Sequence, residues 1–198
     1  MKTSQLLAVL LCATSSVGVA QQVKIGAKMG GNVSNGVGAD VNDSAIRLGG
    51  HAGGMVQVEF TKHVGVQAEA QYSLKGDNSL IYGPSIMHHL AYLDIPVVAQ
   101  YTLDDLFVEV GPRYSWLLSA KSNVEGLDNV GKQPFKSQLY GFALGFGYQD
   151  ETGIQVGWRY NADLIYLYRD INFSGDIVQT RIRNSTMQFY LGALIKPK

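Results

Sequence analysis

The chain has 198 residues, one cysteine, and 16 basic residues against 16 acidic ones. That balance excludes the basic footprint of a nucleic-acid binder. The lone Cys12 excludes a disulfide framework and a thiolate metal centre.

Met1 to Ala20 reads as a secretory signal peptide. Lys2 gives a positive start, Leu6 to Ala13 an apolar core, and Gly18-Val19-Ala20 a small-residue cleavage site before Gln21. Residues 21–198 then form one domain, and cleavage there removes the only cysteine. No later apolar run is long enough for a spanning helix. A chain of this kind that enters a membrane can do so only as a closed β-barrel.

Strand one is expected near Gln22 to Asn32, with Val23, Ile25, Ala27 and Met29 on one face and Lys24, Gly26, Lys28 and Gly30 on the other. Asn35 to Arg47 is a polar, Gly-rich loop. Leu48 to Lys75 is a long hairpin turning at Thr61-Lys62-His63. One face holds Val56, Val58, Val64, Val66, Ala68 and Tyr72; the other holds His51, Met55, Gln57, Glu59, Gln67, Glu69, Ser73 and Lys75. Such alternation is the period-two signature of strands. Gly76 to His89 is a second loop. Strand four is expected near Leu90 to Leu103, strand five near Leu106 to Ala120, strand six near Lys136 to Gln149, strand seven near Gly153 to Leu164 and strand eight near Ser185 to Ile195. Pro96 and Pro112 each remove a ladder donor, so a bulge or local break is expected at each. Ile177 to Arg183 is a candidate extension of the strand pair above the membrane.

The reading is therefore an all-β, eight-stranded, antiparallel up-and-down transmembrane β-barrel. The connections alternate long and short, as in bacterial outer-membrane barrels with tight periplasmic turns and longer outer loops. Phe60, Tyr101 and Tyr148 lie beside the short turns, and Tyr72, Trp116 and Tyr140 near the long loops, forming two interfacial belts. Energy decides which face meets lipid. A cationic side chain on the lipid face costs about 2–4 kcal/mol at the midplane, and a one-residue slip would put Arg113 or Arg159 there. The apolar register faces out.

Gln67-Ala68-Glu69-Ala70-Gln71-Tyr72-Ser73-Leu74-Lys75-Gly76, then Leu93-Asp94-Ile95-Pro96, Gly111-Pro112, Leu118-Ser119-Ala120-Lys121, Gly145-Phe146-Gly147-Tyr148 and Arg159-Tyr160-Asn161 follow one another in a specific order. Together they resemble the PorT-like outer-membrane β-barrel family of Bacteroidetes. The resemblance spans most of the chain after the signal. It implies an eight-stranded barrel in the cell outer membrane and no defined activity; its founding member is associated with a protein-secretion and gliding apparatus. Barrel proteins often finish on an aromatic residue, whereas this chain finishes Leu194-Ile195-Lys196-Pro197-Lys198.

The inward register holds Lys24, Lys28, His51, Glu59, Glu69, Asp94, Glu109, Arg113, Arg159 and Asp163. An eight-stranded barrel is just wide enough for its own side chains to fill. A closed lumen follows, with a structural charge network of Glu69, Asp94, Glu109, Arg113, Arg159 and Asp163, and with Glu69 and Asp94 near Arg113 and Arg159 at mid-height. Each charge neutralises another because an unpaired buried charge is costly.

Two other classes make distinct demands on the sequence. An outer-membrane lipid hydrolase would need a base such as His51 beside a nucleophile such as Ser73 or Ser115, at the lipid face; both His51 and Ser73 fall on the inward register. A soluble exported barrel carrying a small ligand would reverse the polarity of the two faces. His88-His89 with Asp77 would be a metal site only if adjacent histidines converged, and on an extended chain they point apart. No catalytic residue, cofactor or metal is expected. The expected contacts are membrane lipid and envelope or secretion-apparatus proteins, with binding carried by the loops.

Overall fold

Alternation of apolar and polar residues leaves a strand with one greasy and one wet face, and eight such strands bury the wet one by closing on themselves. The computed structural model describes residues 22–39, 44–75, 78–79, 87–123, 135–168, 171–173, 176–178 and 181–197. The barrel strands are β1 (Gln22–Gly38), β2 (Arg47–Glu59), β3 (Val64–Lys75), β4 (Met87–Leu103), β5 (Leu106–Asn123), β6 (Gln138–Gln149), β7 (Ile154–Asp163) and β8 (Ile182–Ile195). Each pairs antiparallel with its neighbours in the chain, and β1 closes on β8 from Ile25 opposite Ile195 to Gly38 opposite Ile182. The segment read as a signal lies outside the described residues.

The outward register is exposed along every strand: Val56, Tyr72, Val108, Leu144, Val156 and Leu191 are among the large apolar side chains on this face. Phe60, Tyr101 and Tyr148 stand out near one end, and Tyr72, Trp116 and Tyr140 near the other. The inward register is buried and mostly polar.

Five strands run further than expected on the side of the long connections, β1, β2, β4, β5 and β8, while β6 and β7 stop slightly short of expectation. β1 continues to Gly38, so the first four residues of the stretch read as a loop are wall, and Arg47 opens β2. β4 begins at Met87 and β5 ends at Asn123. The stretch from Ile177 to Arg183 divides: Asp176–Val178 folds back on Ile171–Phe173 as a separate small hairpin, while Ile182 and Arg183 join β8. Ser44–Ala45 pairs with Asn78–Ser79 across two long connections.

The prolines interrupt the ladder without changing its register. Pairing of β4 with β5 stops at Pro96–Arg113 and resumes at Ala99–Val110; pairing of β3 with β4 stops at Ala68–Val97 and resumes at Gln71–Asp94. The register shift itself lies at Ala91/Tyr92, away from either proline.

The three short turns are held locally. Thr61 Oγ1 accepts from the backbone N–H of Val64 at 3.0 Å and of His63 at 3.2 Å. Asp104 takes a left-handed φ of 53° in its two-residue turn, a conformation aspartate tolerates. Gly153 has φ 94°, and a Cβ there would lie 2.1 Å from the Leu194 carbonyl oxygen, so only glycine fits.

Candidate functional site

The inward side chains stack in layers from the short-turn end upward. A polar bowl of about 510 Å³ opens at that end, walled by the three short turns and by Lys196. Inside it Lys24 pairs with Glu59. Above lies a layer of amides: Gln57 Nε2 donates to Gln100 Oε1 at 2.6 Å, Gln155 Nε2 to Gln149 Oε1 at 2.6 Å, and Gln67 Nε2 reaches up to Glu69 Oε1 at 2.6 Å.

The next layer is a quartet of charges. Arg159 grips Glu69 through Nη1 at 2.8 Å and Nη2 at 2.7 Å, and Glu109 through Nε at 2.6 Å and Nη2 at 2.9 Å. Lys28 Nζ donates to Glu69 Oε1 at 2.9 Å and sits 3.5 Å from the centroid of the Tyr190 ring. The Tyr190 hydroxyl donates to Glu109 at 3.2 Å. All four charged groups are buried. Two bidentate guanidinium contacts give the strong, directional form of ion pairing, and the sum of charges is zero. Tyr190 reaches the quartet because Gly157 lies beneath its ring; a Cβ at 157 would come within 2.5 Å of the Tyr190 oxygen.

A band of neutral polar groups follows. Asn32 Oδ1 accepts from Gln188 Nε2 at 3.1 Å and meets His51 Nδ1 at 2.7 Å, while Asn32 Nδ2 donates to Ser73 Oγ at 3.0 Å. That orientation of Asn32 requires the His51 proton on Nδ1 and leaves Nε2 as an acceptor.

A second quartet stands at the level of this band and above. Lys75 Nζ is 2.5 Å from Asp94 Oδ2, Arg113 Nη2 pairs with Asp163 Oδ1, and Arg113 Nη1 is 3.8 Å from Asp94 Oδ2. The lumen then turns apolar. Leu90 and Tyr92 on β4, Leu117 on β5 and Leu139 on β6 pack with Phe135 and Leu167 from the connecting segments. Those segments extend the wall: Lys136 N–H donates to Leu167 O at 2.9 Å and Leu167 N–H to Ile182 O at 2.8 Å.

All six residues of the sequence-derived network lie in the lumen, divided between the quartets: Glu69, Glu109 and Arg159 below, Asp94, Arg113 and Asp163 above. Sequence reasoning left Lys28, Lys75 and Tyr190 out of the network. All three stand on the inward register, so period-two counting carried the signal. The apolar cap was missed as well, since Phe135 and Leu167 lie outside the strands. Of the hydrolase candidates, His51 and Ser73 are cross-strand partners inside the lumen with Asn32 bonded to both, and Ser115 is buried beside Asp94 on the neighbouring strand. The side chains of His88, His89 and Asp77 lie outside the described residues.

The comparisons fix the class. A family model described as outer membrane protein beta-barrel domain matches residues 19–169. The chain belongs to this family. It is an outer-membrane protein. Neisserial surface protein A is similar in structure, with TM-score 0.54 at 13% identity, covering 85% of this chain and 96% of that one. Ail, the attachment invasion locus protein of Yersinia pestis, in complex with the heparin analogue sucrose octasulfate, gives 0.53 at 11%, covering 88% and 99%. OprG from Pseudomonas aeruginosa gives 0.50 at 14%, covering 89% and 98%. At these identities the likeness is one of fold. No curated protein sequence matches the chain.

Proposed function

We propose that this outer-membrane barrel is a non-conducting, non-catalytic scaffold that presents its outer connections to proteins of the envelope, as a surface element or as part of a secretion assembly. The observation that carries this reading is the lower quartet. Arg159, Glu69, Glu109 and Lys28 are buried, mutually bonded and drawn from four strands around the barrel, so an ion crossing at this level would have to part charge-assisted bonds in a low-dielectric interior. The lumen histidine and serine are engaged in structural bonds through Asn32 and face away from lipid, which disfavours hydrolysis.

Protein partners suit the connections better than a sulfated polysaccharide does. Residues 39–46, 76–86, 124–137 and 164–181 together hold seven acidic and four basic residues, the wrong excess for a polyanion. They also hold Tyr82, Tyr166 and Phe173, the aromatic type enriched at protein interfaces. Within the family, the motif order from Gln67-Ala68-Glu69 to Arg159-Tyr160-Asn161 supports a place among PorT-like barrels of Bacteroidetes, and residues 1–20 support export by a cleaved signal.

The test has two parts. In planar bilayers the purified barrel gives no steady conductance; a stable open pore rejects the scaffold reading. Affinity purification from gently solubilised outer membranes recovers a reproducible envelope protein, which is lost when residues 78–84 are replaced by a short Gly/Ser linker. Recovery of the barrel alone, or retention of the partner by every loop variant, rejects presentation by the loops.

A further inference from the structure

A groove of about 370 Å³ lies on the outer face of the barrel wall, beside the turn between β4 and β5. Tyr101 on β4 and Phe146 on β6 form its sides, and Val108 on β5 its floor. The register explains the shape. Val108 is directly opposite both Tyr101 and Phe146, so a short β-branched side chain stands between two rings. Leu103 and Leu106 continue the groove toward the turn. Each of these side chains is exposed on the outward register. Away from the turn the low relief runs on along β5, through Val110 between Ala99 and Leu144 and then Pro112 beside Phe142. From Leu106 to Pro112 the strand covers about 20 Å.

The turn end differs in chemistry. Asp104 closes it, exposed and set by its left-handed φ of 53°. Beside it Asp105 accepts from the Tyr148 hydroxyl at 3.1 Å. Among the described residues no lysine or arginine lines the groove. Tyr101 and Tyr148 belong to the aromatic belt at this end, and such belts mark the level of the lipid headgroups.

Shape, place and charge together select the occupant. A membrane offers this face hydrocarbon chains, and a slot one side chain wide suits a single chain lying along the strand. Lipid tails are as apolar as leucine, so no hydrophobic force favours one lipid over another here. Packing and the polar end decide. A headgroup of purely negative charge is repelled by the carboxylates, whereas a primary ammonium donates to Asp104 in a charge-assisted bond. We propose that this groove binds a phospholipid whose headgroup carries a primary ammonium, with one acyl chain along β5 and the ammonium on Asp104.

The test compares two lipids that differ only in the headgroup. The purified full barrel in detergent is mixed with phosphatidylethanolamine or phosphatidylglycerol of identical chains, and retained lipid is counted by native mass spectrometry. Phosphatidylethanolamine is preferred about fivefold, the upper end for an exposed ion pair. Asp104→Asn keeps a residue that tolerates the left-handed turn and brings the two lipids to equal retention. Val108→Phe fills the slot and lowers retention of both, whereas Val56→Phe, exposed on the outward face of β2, does not. Folding of each variant is checked by heat-modifiable migration in electrophoresis. Equal retention by the unmodified barrel, a preference that survives Asp104→Asn, or losses that are the same for Val56→Phe and Val108→Phe overturn the proposal. A dimer that Val108→Phe disperses also overturns it, because a second copy then fills the groove. Should Asp104→Asn fail to fold, the contrast between Val108→Phe and Val56→Phe decides.

Discussion

The lower and upper charge quartets contain two cations and two carboxylates each, yet they are different kinds of object. Below, one arginine bonds two glutamates through four contacts, and a tyrosine and a lysine complete the set. Above, Arg113 pairs firmly with Asp163 only, and Lys75 holds Asp94 from one side. The difference teaches that a neutral sum is a weak guide to rigidity. What counts is whether each lone pair and each N–H has a direct partner, because a buried pair repays its desolvation only when its remaining bonding capacity is satisfied.

The sharpest way to break the comparison is Arg159→Leu. It leaves Glu69 and Glu109 buried together with Lys28 alone, and the expected loss is about 3–5 kcal/mol, read as a lower urea midpoint for unfolding in detergent or bilayers. Arg113→Leu removes one firm pair from a set that already has unpartnered atoms; a smaller loss, about 1–3 kcal/mol, is expected. Equal losses for the two variants would erase the distinction between the quartets. Tyr92→Phe deletes a hydroxyl with no hydrogen-bond partner among the described residues and keeps the ring in the apolar cap, so its midpoint should stay within about 0.5 kcal/mol of the parent. A large loss there would show that the hydroxyl, and not the ring alone, holds this level of the lumen together.

The smallest effect lies outside the lumen. Asp150, in the exposed third turn, accepts from Thr152 Oγ1 at 2.7 Å and from the Ile154 N–H at 2.8 Å. The Thr152 bond, helped by the turn's backbone N–H groups, holds its carboxyl below the usual range. A depressed folded value means that its stabilisation is complete above the unfolded pKa, about 3.9, and is lost as pH falls through the folded one. Asp150→Ala should therefore unfold slightly earlier than the parent at pH 7, and the two midpoints should converge in acid. A gap that persists in acid would assign the effect to the turn geometry rather than the charge.

Much of this architecture was written in period two. The eight strands, their lipid faces and the two aromatic belts all follow from alternation, because a one-residue slip would move Arg113 or Arg159 into lipid. The inward charges were legible for the same reason. Their partners were not. Alternation says that Glu69 and Arg159 share the lumen, but which carboxylate meets which cation depends on strand tilt and stagger, which side-chain order along one strand does not encode. The ends of the strands were also hidden, since Asn35 to Gly38 reads as loop by composition and pairs as wall with β8. The prolines predict a bulge or a local break, and the ladder gaps beside Pro96 and Pro112 are the break; the bulge at Ala91/Tyr92 has no such mark in the sequence.

The lower quartet draws Lys28 from β1, Glu69 from β3, Glu109 from β5 and Arg159 from β7. Counted as hairpins from the N-terminus, each of the four therefore delivers one charge, in the order plus, minus, minus, plus. No hairpin is neutral at this level alone, and a barrel missing its last hairpin would hold one ammonium against two carboxylates. Insertion into the bilayer is complete, at this level, only when the fourth hairpin brings the guanidinium that both carboxylates need. The four residues that meet across the lumen thus make an incomplete barrel electrostatically distinct from a finished one.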